Sequence, residues 1–170
     1  KNSVVSIAAE GPNAYALLIP KDSKVESVAD LKGKTIATVV GSTGHNLVEK
    51  LLTQANLSID LDVNFVNIAA GDAATVLETG EADAVAIWEP NVTRLIENGT
   101  AKALAYGKDC GLLGVNPLMV NTEFAEANPT IVRVLNEQYK KGVEAIEGLS
   151  GDTLKYVSEY LSLDEAQVAT

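Results

Sequence analysis

A single cysteine, Cys110, stands in 170 residues, so the chain can hold no internal disulfide and no cysteine-based zinc cluster. Histidine is as scarce. His45 is the only one, which removes any multi-histidine metal site and any mechanism that needs two imidazoles. Positive charge is thin, with 13 lysines and arginines against 23 aspartates and glutamates and a net charge of −10. Such a surface repels nucleic acid and anionic membrane, and neither is expected as a partner. Any anion captured here must be held by local dipoles and hydroxyls rather than by the overall field. No apolar run reaches the roughly 18–20 residues that a membrane-crossing helix needs. No signal peptide opens the chain. Val4-Val5-Ser6-Ile7 begins an extended run almost at once, as in a mature or truncated product, so that absence decides nothing about targeting. With 46% apolar residues the length suffices for a real core, in one domain or most of one.

What is present alternates strand and helix. Val4–Ala8 and Tyr15–Ile19 read as short extended runs separated by the turn residues Gly11, Pro12 and Asn13. Thr35–Val40 is β-branched and apolar, and Val63–Ile68, Asp83–Trp88, Ala101–Tyr106 and Pro117–Asn121 read as further strands. Between them, Leu47, Val48, Leu51, Leu52 and Ala55 recur at helical spacing, and Asp72 can cap a short helix closed by Gly80. Beyond Asn121 the pattern is helical only, opened by Asn128-Pro129. This order predicts an α/β layered fold with a mainly parallel sheet. Residues 21–113 are expected to form one α/β lobe. Residues 1–20 and 114–170 are expected to supply the crossover strands and the helical part of a second, partial lobe, with Tyr15–Ile19 beside Pro117–Val120.

The most informative stretch is Gly41-Ser42-Thr43-Gly44-His45-Asn46, where a strand hands over to a helix. Two glycines let the backbone turn tightly and leave room for something to approach it. The first amides of a helix lack internal partners and sit at the positive end of its dipole, which makes an anion site. Ser42 and Thr43 can either cap the helix or turn their hydroxyls to a guest. A hydrolytic triad is not expected, because Ser42 lies in no G-x-S-x-G elbow.

Three segments carry a family resemblance. Pro20-Lys21-Asp22-Ser23 running into Val28-Ala29-Asp30-Leu31-Lys32-Gly33-Lys34 is the first, and Gly41–Leu47 is the second. Leu77-Glu78-Thr79-Gly80-Glu81-Ala82-Asp83-Ala84, followed by Ile87-Trp88-Glu89-Pro90, is the third. Together they resemble the substrate-binding proteins of ABC importers for sulfonates, taurine, nitrate and thiamine-pyrimidine precursors, the aliphatic-sulfonate binders above all. The resemblance implies a periplasmic binding protein type II fold, a two-lobed clamshell with one lobe complete and the other partial here. It implies a small anionic or polar solute, an ABC permease in the membrane as partner, a monomer, no cofactor and no catalysis. It places the protein in the periplasm or at the cell surface, with a lipid anchor left open. Two alternatives stand beside it: an enzyme of the same fold resembling thiamine-pyrimidine synthases, and the ligand-sensing domain of a regulator.

The candidate ligand residues follow from both lines. Ser42, Thr43, Gly44 and His45 form the anion site, with the Gly44 and His45 amides expected to meet the anionic oxygens. Trp88, the only tryptophan, ends a strand where a ring could cover an alkyl or aromatic ligand. Glu89 either accepts a hydrogen bond from the ligand or complements a helix dipole. Asn13, with Gly11 and Pro12, precedes a strand and could line the cleft.

Overall fold

A computed structural model describes residues 1–9, 11, 13–146 and 148–168, so Pro12 lies outside the described residues. The chain divides into two compact units, one of Lys1–Glu10 with Val115–Thr170 and the other of Gly11–Gly114.

The second unit holds a five-stranded sheet. Its strands are β2 (Tyr15–Pro20), β3 (Thr35–Thr38), β4 (Asn64–Asn67), β5 (Ala84–Trp88) and β6 (Ala101–Tyr106), in the order β4-β3-β5-β2-β6. β3 pairs in parallel with β4 and β5, while β2 runs antiparallel between β5 and β6. Four of the five strands therefore share one direction, while two of the four pairings are antiparallel, so the sheet is mixed rather than mainly parallel. Helix α1 (Thr43–Gln54) covers one face, and α2 (Ala73–Glu78) and α3 (Asn91–Glu97) cover the other.

The strand period of two sorts the core. Tyr15, Leu17 and Ile19 of β2 pack with Ile36 and with Leu47, Val48, Leu51 and Leu52 of α1. Ala16 and Leu18 pack on the opposite face with Val85, Ile87, Val76, Leu77, Val92 and Leu95. Each large aliphatic side chain taken fully out of water here contributes about 1.5–3 kcal/mol.

The first unit is built from β1 (Asn2–Ala9), β7 (Val115–Asn121), α4 (Thr122–Ala127), α5 (Pro129–Ile146), α6 (Gly151–Leu161) and α7 (Glu165–Val168). β1 and β7 form an antiparallel two-stranded ribbon with Ile7 opposite Pro117 and Val4 opposite Met119. Among its described residues none is buried, and Val4, Ile7, Met119, Ile131 and Leu135 are exposed.

Strand pairing departs from the expectation. Tyr15–Ile19 does not run beside Pro117–Val120. β2 lies inside the five-stranded sheet, and the partner of Pro117–Val120 is β1. The reason is burial. Tyr15 through Ile19 are apolar at every position and buried at every position, which only a strand covered on both faces can satisfy. The first division of the chain accordingly falls near residue 10 rather than near residue 20.

Candidate solute site at the carboxyl edge of the sheet

The connection leaving β3 passes through α1 to β4, on one side of β3. The connection leaving β5 passes through α3 to β6, on the other side. Between the carboxyl ends of β3 and β5 the chain therefore changes direction, and such a switch point opens a crevice where ligands bind in open α/β sheets. The ladder between the two strands is short. Ile36 pairs with Ala84 and Ala37 with Val85, and then the buried Thr38 hydroxyl takes over by donating to the Ala86 carbonyl at 2.7 Å.

This edge gathers the candidate residues. Ser42 to His45 begin α1, while Trp88 and Glu89 end β5. β2 is antiparallel to β5 and Tyr15 sits opposite Trp88, so exposed Asn13 lies at the same edge. The Glu89 amide ties this corner together by donating to the Ala14 carbonyl at 3.0 Å. Trp88 is half-buried and packs against both core clusters.

The hydrogen bonds of the turn decide which groups remain for a guest. Ser42 is the N-cap of α1, and its Oγ accepts from the amides of Gly44 at 3.1 Å and His45 at 3.4 Å. Those two amides, expected to meet an anion directly, thus have an intrachain acceptor, because a serine at this position satisfies the orphan donors of the first turn. The Gly41 amide donates to His45 Nδ1 at 3.1 Å, and the Val40 amide to Asn67 Oδ1 at 2.9 Å. The Ser42 amide donates to the Val39 carbonyl at 3.1 Å. Of the backbone amides and hydroxyls of residues 40–45, those that stay uncommitted are the Thr43 amide, the Thr43 hydroxyl and the proton of the Ser42 hydroxyl.

Gly44 serves packing. A Cβ built on it would lie 2.5 Å from Thr38 Oγ1 and 2.9 Å from the Ala86 carbonyl oxygen. Only a glycine lets α1 begin directly on the gap between β3 and β5. Gly41, at φ +79°, supplies the left-handed residue that turns the chain into the helix.

Glu89 is exposed, and its two carboxylate oxygens accept from the Thr93 amide and the Thr93 hydroxyl, each at 3.0 Å. It thereby caps the first turn of α3, one of the two roles open to it from the sequence. Glu89→Ala is expected to lower stability to urea by about 1 kcal/mol, the usual cost of a lost cap, and Glu89→Gln by much less. An alkanesulfonate affinity that moves with Glu89→Gln at constant stability would instead put the carboxylate against the solute.

Two residues of this site escape sequence reasoning, Asn67 and Thr38. A polar residue at the last position of a strand was the available signal for both. The carboxylates whose pKa values lie below the ordinary range sit elsewhere, ahead of β3 and β4. The Ser27 hydroxyl and neighbouring amides lower Asp30, and the Ser58 amide and Lys32 lower Asp62. An open groove of about 840 Å³ adjoins the edge, lined by Val39, Val40, Val66, Asn67, Asp72 and Val76 among others. Asp72 makes no side-chain cap to α2, contrary to expectation, because a short 3₁₀ turn (Ala70–Asp72) runs straight into that helix.

The chain is 31% identical to the "Putative aliphatic sulfonates-binding protein" of Escherichia coli (strain K12) over 129 residues, which is 76% of this chain and 40% of that protein. It superposes on the periplasmic aliphatic sulphonate binding protein SsuA from Escherichia coli with a TM-score of 0.85 at 24% identity, over 98% of this chain and 57% of that one. The alkanesulfonate-binding protein SsuA from Xanthomonas axonopodis pv. citri, bound to MOPS, superposes with a TM-score of 0.74 at 27% identity, over 98% and 57% of the two chains. The chain thus has the fold of these periplasmic binding proteins and spans about two fifths of the length of the curated relative. Matched over residues 2–147 to the description "NMT1/THI5 like", it belongs to the NMT1/THI5-like family.

Proposed function

We propose that this chain is part of the solute-binding component of an ABC importer, and that it captures a small anionic or polar solute, a sulfonate such as taurine first, with the inorganic anion nitrate beside it. The observation that carries the reading is the set of donors left open at the start of α1. The Thr43 amide, the Thr43 hydroxyl and the Ser42 hydroxyl are three uncommitted donors at the switch point, and a sulfonate head group offers three equivalent oxygens. The α1 dipole favours negative charge at that end. Trp88 ends the neighbouring strand, where its ring suits the apolar part of such a solute. No chemistry is done on the solute. The one thiol, Cys110, is buried and donates to the Gly107 carbonyl at 3.4 Å, and His45 Nδ1 is occupied by the Gly41 amide.

The unit Gly11–Gly114 is read as a complete lobe and the other unit as part of a second one, a reading supported by the finding that no residue among the described ones of that unit is fully buried. Delivery to a membrane permease follows from the class of relative, as does a periplasmic or cell-surface location. Among the described residues no helix is long and apolar enough to cross a membrane.

The test is a titration of the full-length gene product with MOPS and with n-alkanesulfonates, followed by Trp88 fluorescence and by calorimetry. Saturable emission changes with competing heats are expected, and Thr43→Val should weaken binding about tenfold by removing a hydroxyl donor. Absence of both signals for every sulfonate would overturn the reading.

A further inference from the structure

The turn between β3 and α1 is held from outside by β4. Asn67, the last residue of β4, accepts the Val40 amide on Oδ1 at 2.9 Å. One residue on, the Gly41 amide donates to His45 Nδ1 at 3.1 Å. The His45 ring lies 4.9 Å from the Phe65 ring, centroid to centroid and tilted by 31°, and Phe65 also belongs to β4. Two consecutive amides are therefore taken by side chains, and both attachments trace to the same neighbouring strand.

We propose that Asn67 and His45 are positioning residues for solute capture, clamping the 39–42 turn so that the Thr43 amide and the Ser42 and Thr43 hydroxyls face the solute in one arrangement. The proposal rests on the solute-binding reading above. Its physical basis is preorganisation. Donors already fixed lose little conformational freedom when the solute arrives, whereas a turn with free Val40 and Gly41 amides has many orientations to give up. The clamp also withdraws those two amides from competition. A solute then meets three amide and hydroxyl donors on a fixed backbone rather than a shifting set of five.

The experiment separates the acceptor from the ring. His45→Phe keeps an aromatic ring for Phe65 and loses the acceptor, His45→Gln offers an acceptor without a ring, and Asn67→Leu removes the other acceptor. In the full-length gene product, hydrogen exchange of the 39–45 segment and MOPS affinity are measured beside thermal stability. His45→Phe and Asn67→Leu should speed exchange of this segment and weaken MOPS binding about tenfold, and His45→Gln should recover most of both. Unchanged exchange in His45→Phe, or a Gln variant as weak as the Phe variant, would overturn the clamp. A wild-type protein blind to MOPS and to every other sulfonate would instead overturn the solute reading, and the exchange data would still decide whether the clamp exists.

Discussion

Gly44→Ala should destabilise the sheet unit by about 2–4 kcal/mol, a large effect for adding one methyl group to a helix. On propensity alone the change is favourable, since alanine in a helix interior is better than glycine by up to about 1 kcal/mol. The neighbourhood reverses the sign. The new Cβ would stand 2.5 Å from Thr38 Oγ1 and 2.9 Å from the Ala86 carbonyl oxygen, closer than such atoms approach. Either α1 lifts off the sheet or the Thr38–Ala86 hydrogen bond breaks. Overpacking of this kind costs about 1–3 kcal/mol, and a buried donor and acceptor left unmatched add about 1–3 kcal/mol more. Urea unfolding followed by Trp88 fluorescence reads the loss. Adding Thr38→Ala should recover only part of it, because the backbone oxygen at 2.9 Å stays in place. A Gly44→Ala protein as stable as the parent would show that α1 does not seat on the gap between β3 and β5. Lifting the helix start also moves the Thr43 donors, so alkanesulfonate affinity should fall in the same variant.

Much of this architecture was legible because burial writes itself into local pattern. The runs around Thr35–Thr38, Ala84–Trp88 and Ala101–Tyr106 are short, apolar and bounded by turn residues, and each is a strand. The apolar stripe Leu47, Val48, Leu51 and Leu52 fixed both the existence of α1 and the face it buries. Strand pairing was less legible. Tyr15–Ile19 announces a strand covered on both faces but not its neighbours, which are chosen by contacts some 70 to 90 residues away.

The site divides in the same way. Ser42 could be read as a cap or as a ligand group, and the structure shows its oxygen capping while its proton stays free. Asn67 and the acceptor role of His45 were out of reach. Val40 and Asn67 are 27 residues apart, and no local spacing links them. Glu89 had two readings of equal standing, and a residue four positions away, Thr93, engages both oxygens.

Trp88 is where stability and solute preference can be pulled apart. It ends β5 opposite Tyr15, half-buried and packed against both core clusters. Truncation of a buried tryptophan costs about 3–5 kcal/mol, and a half-buried one at a strand end should cost about 2–3 kcal/mol in Trp88→Ala. Trp88→Phe should keep most of that stability, because an aromatic ring still fills the site. Binding gives a second, independent reading. If the exposed part of the indole covers the alkyl tail, each added methylene in an n-alkanesulfonate series contributes up to about 0.8 kcal/mol, or roughly fourfold in affinity. The slope of affinity against chain length is then the quantity to compare, since a general loss of folded protein shifts all members of the series together. Trp88→Ala should flatten that slope while leaving the methanesulfonate value within about threefold after correction for the folded fraction. A slope unchanged by Trp88→Ala would assign the ring wholly to the core, and the tail would have to lie against other residues of the edge.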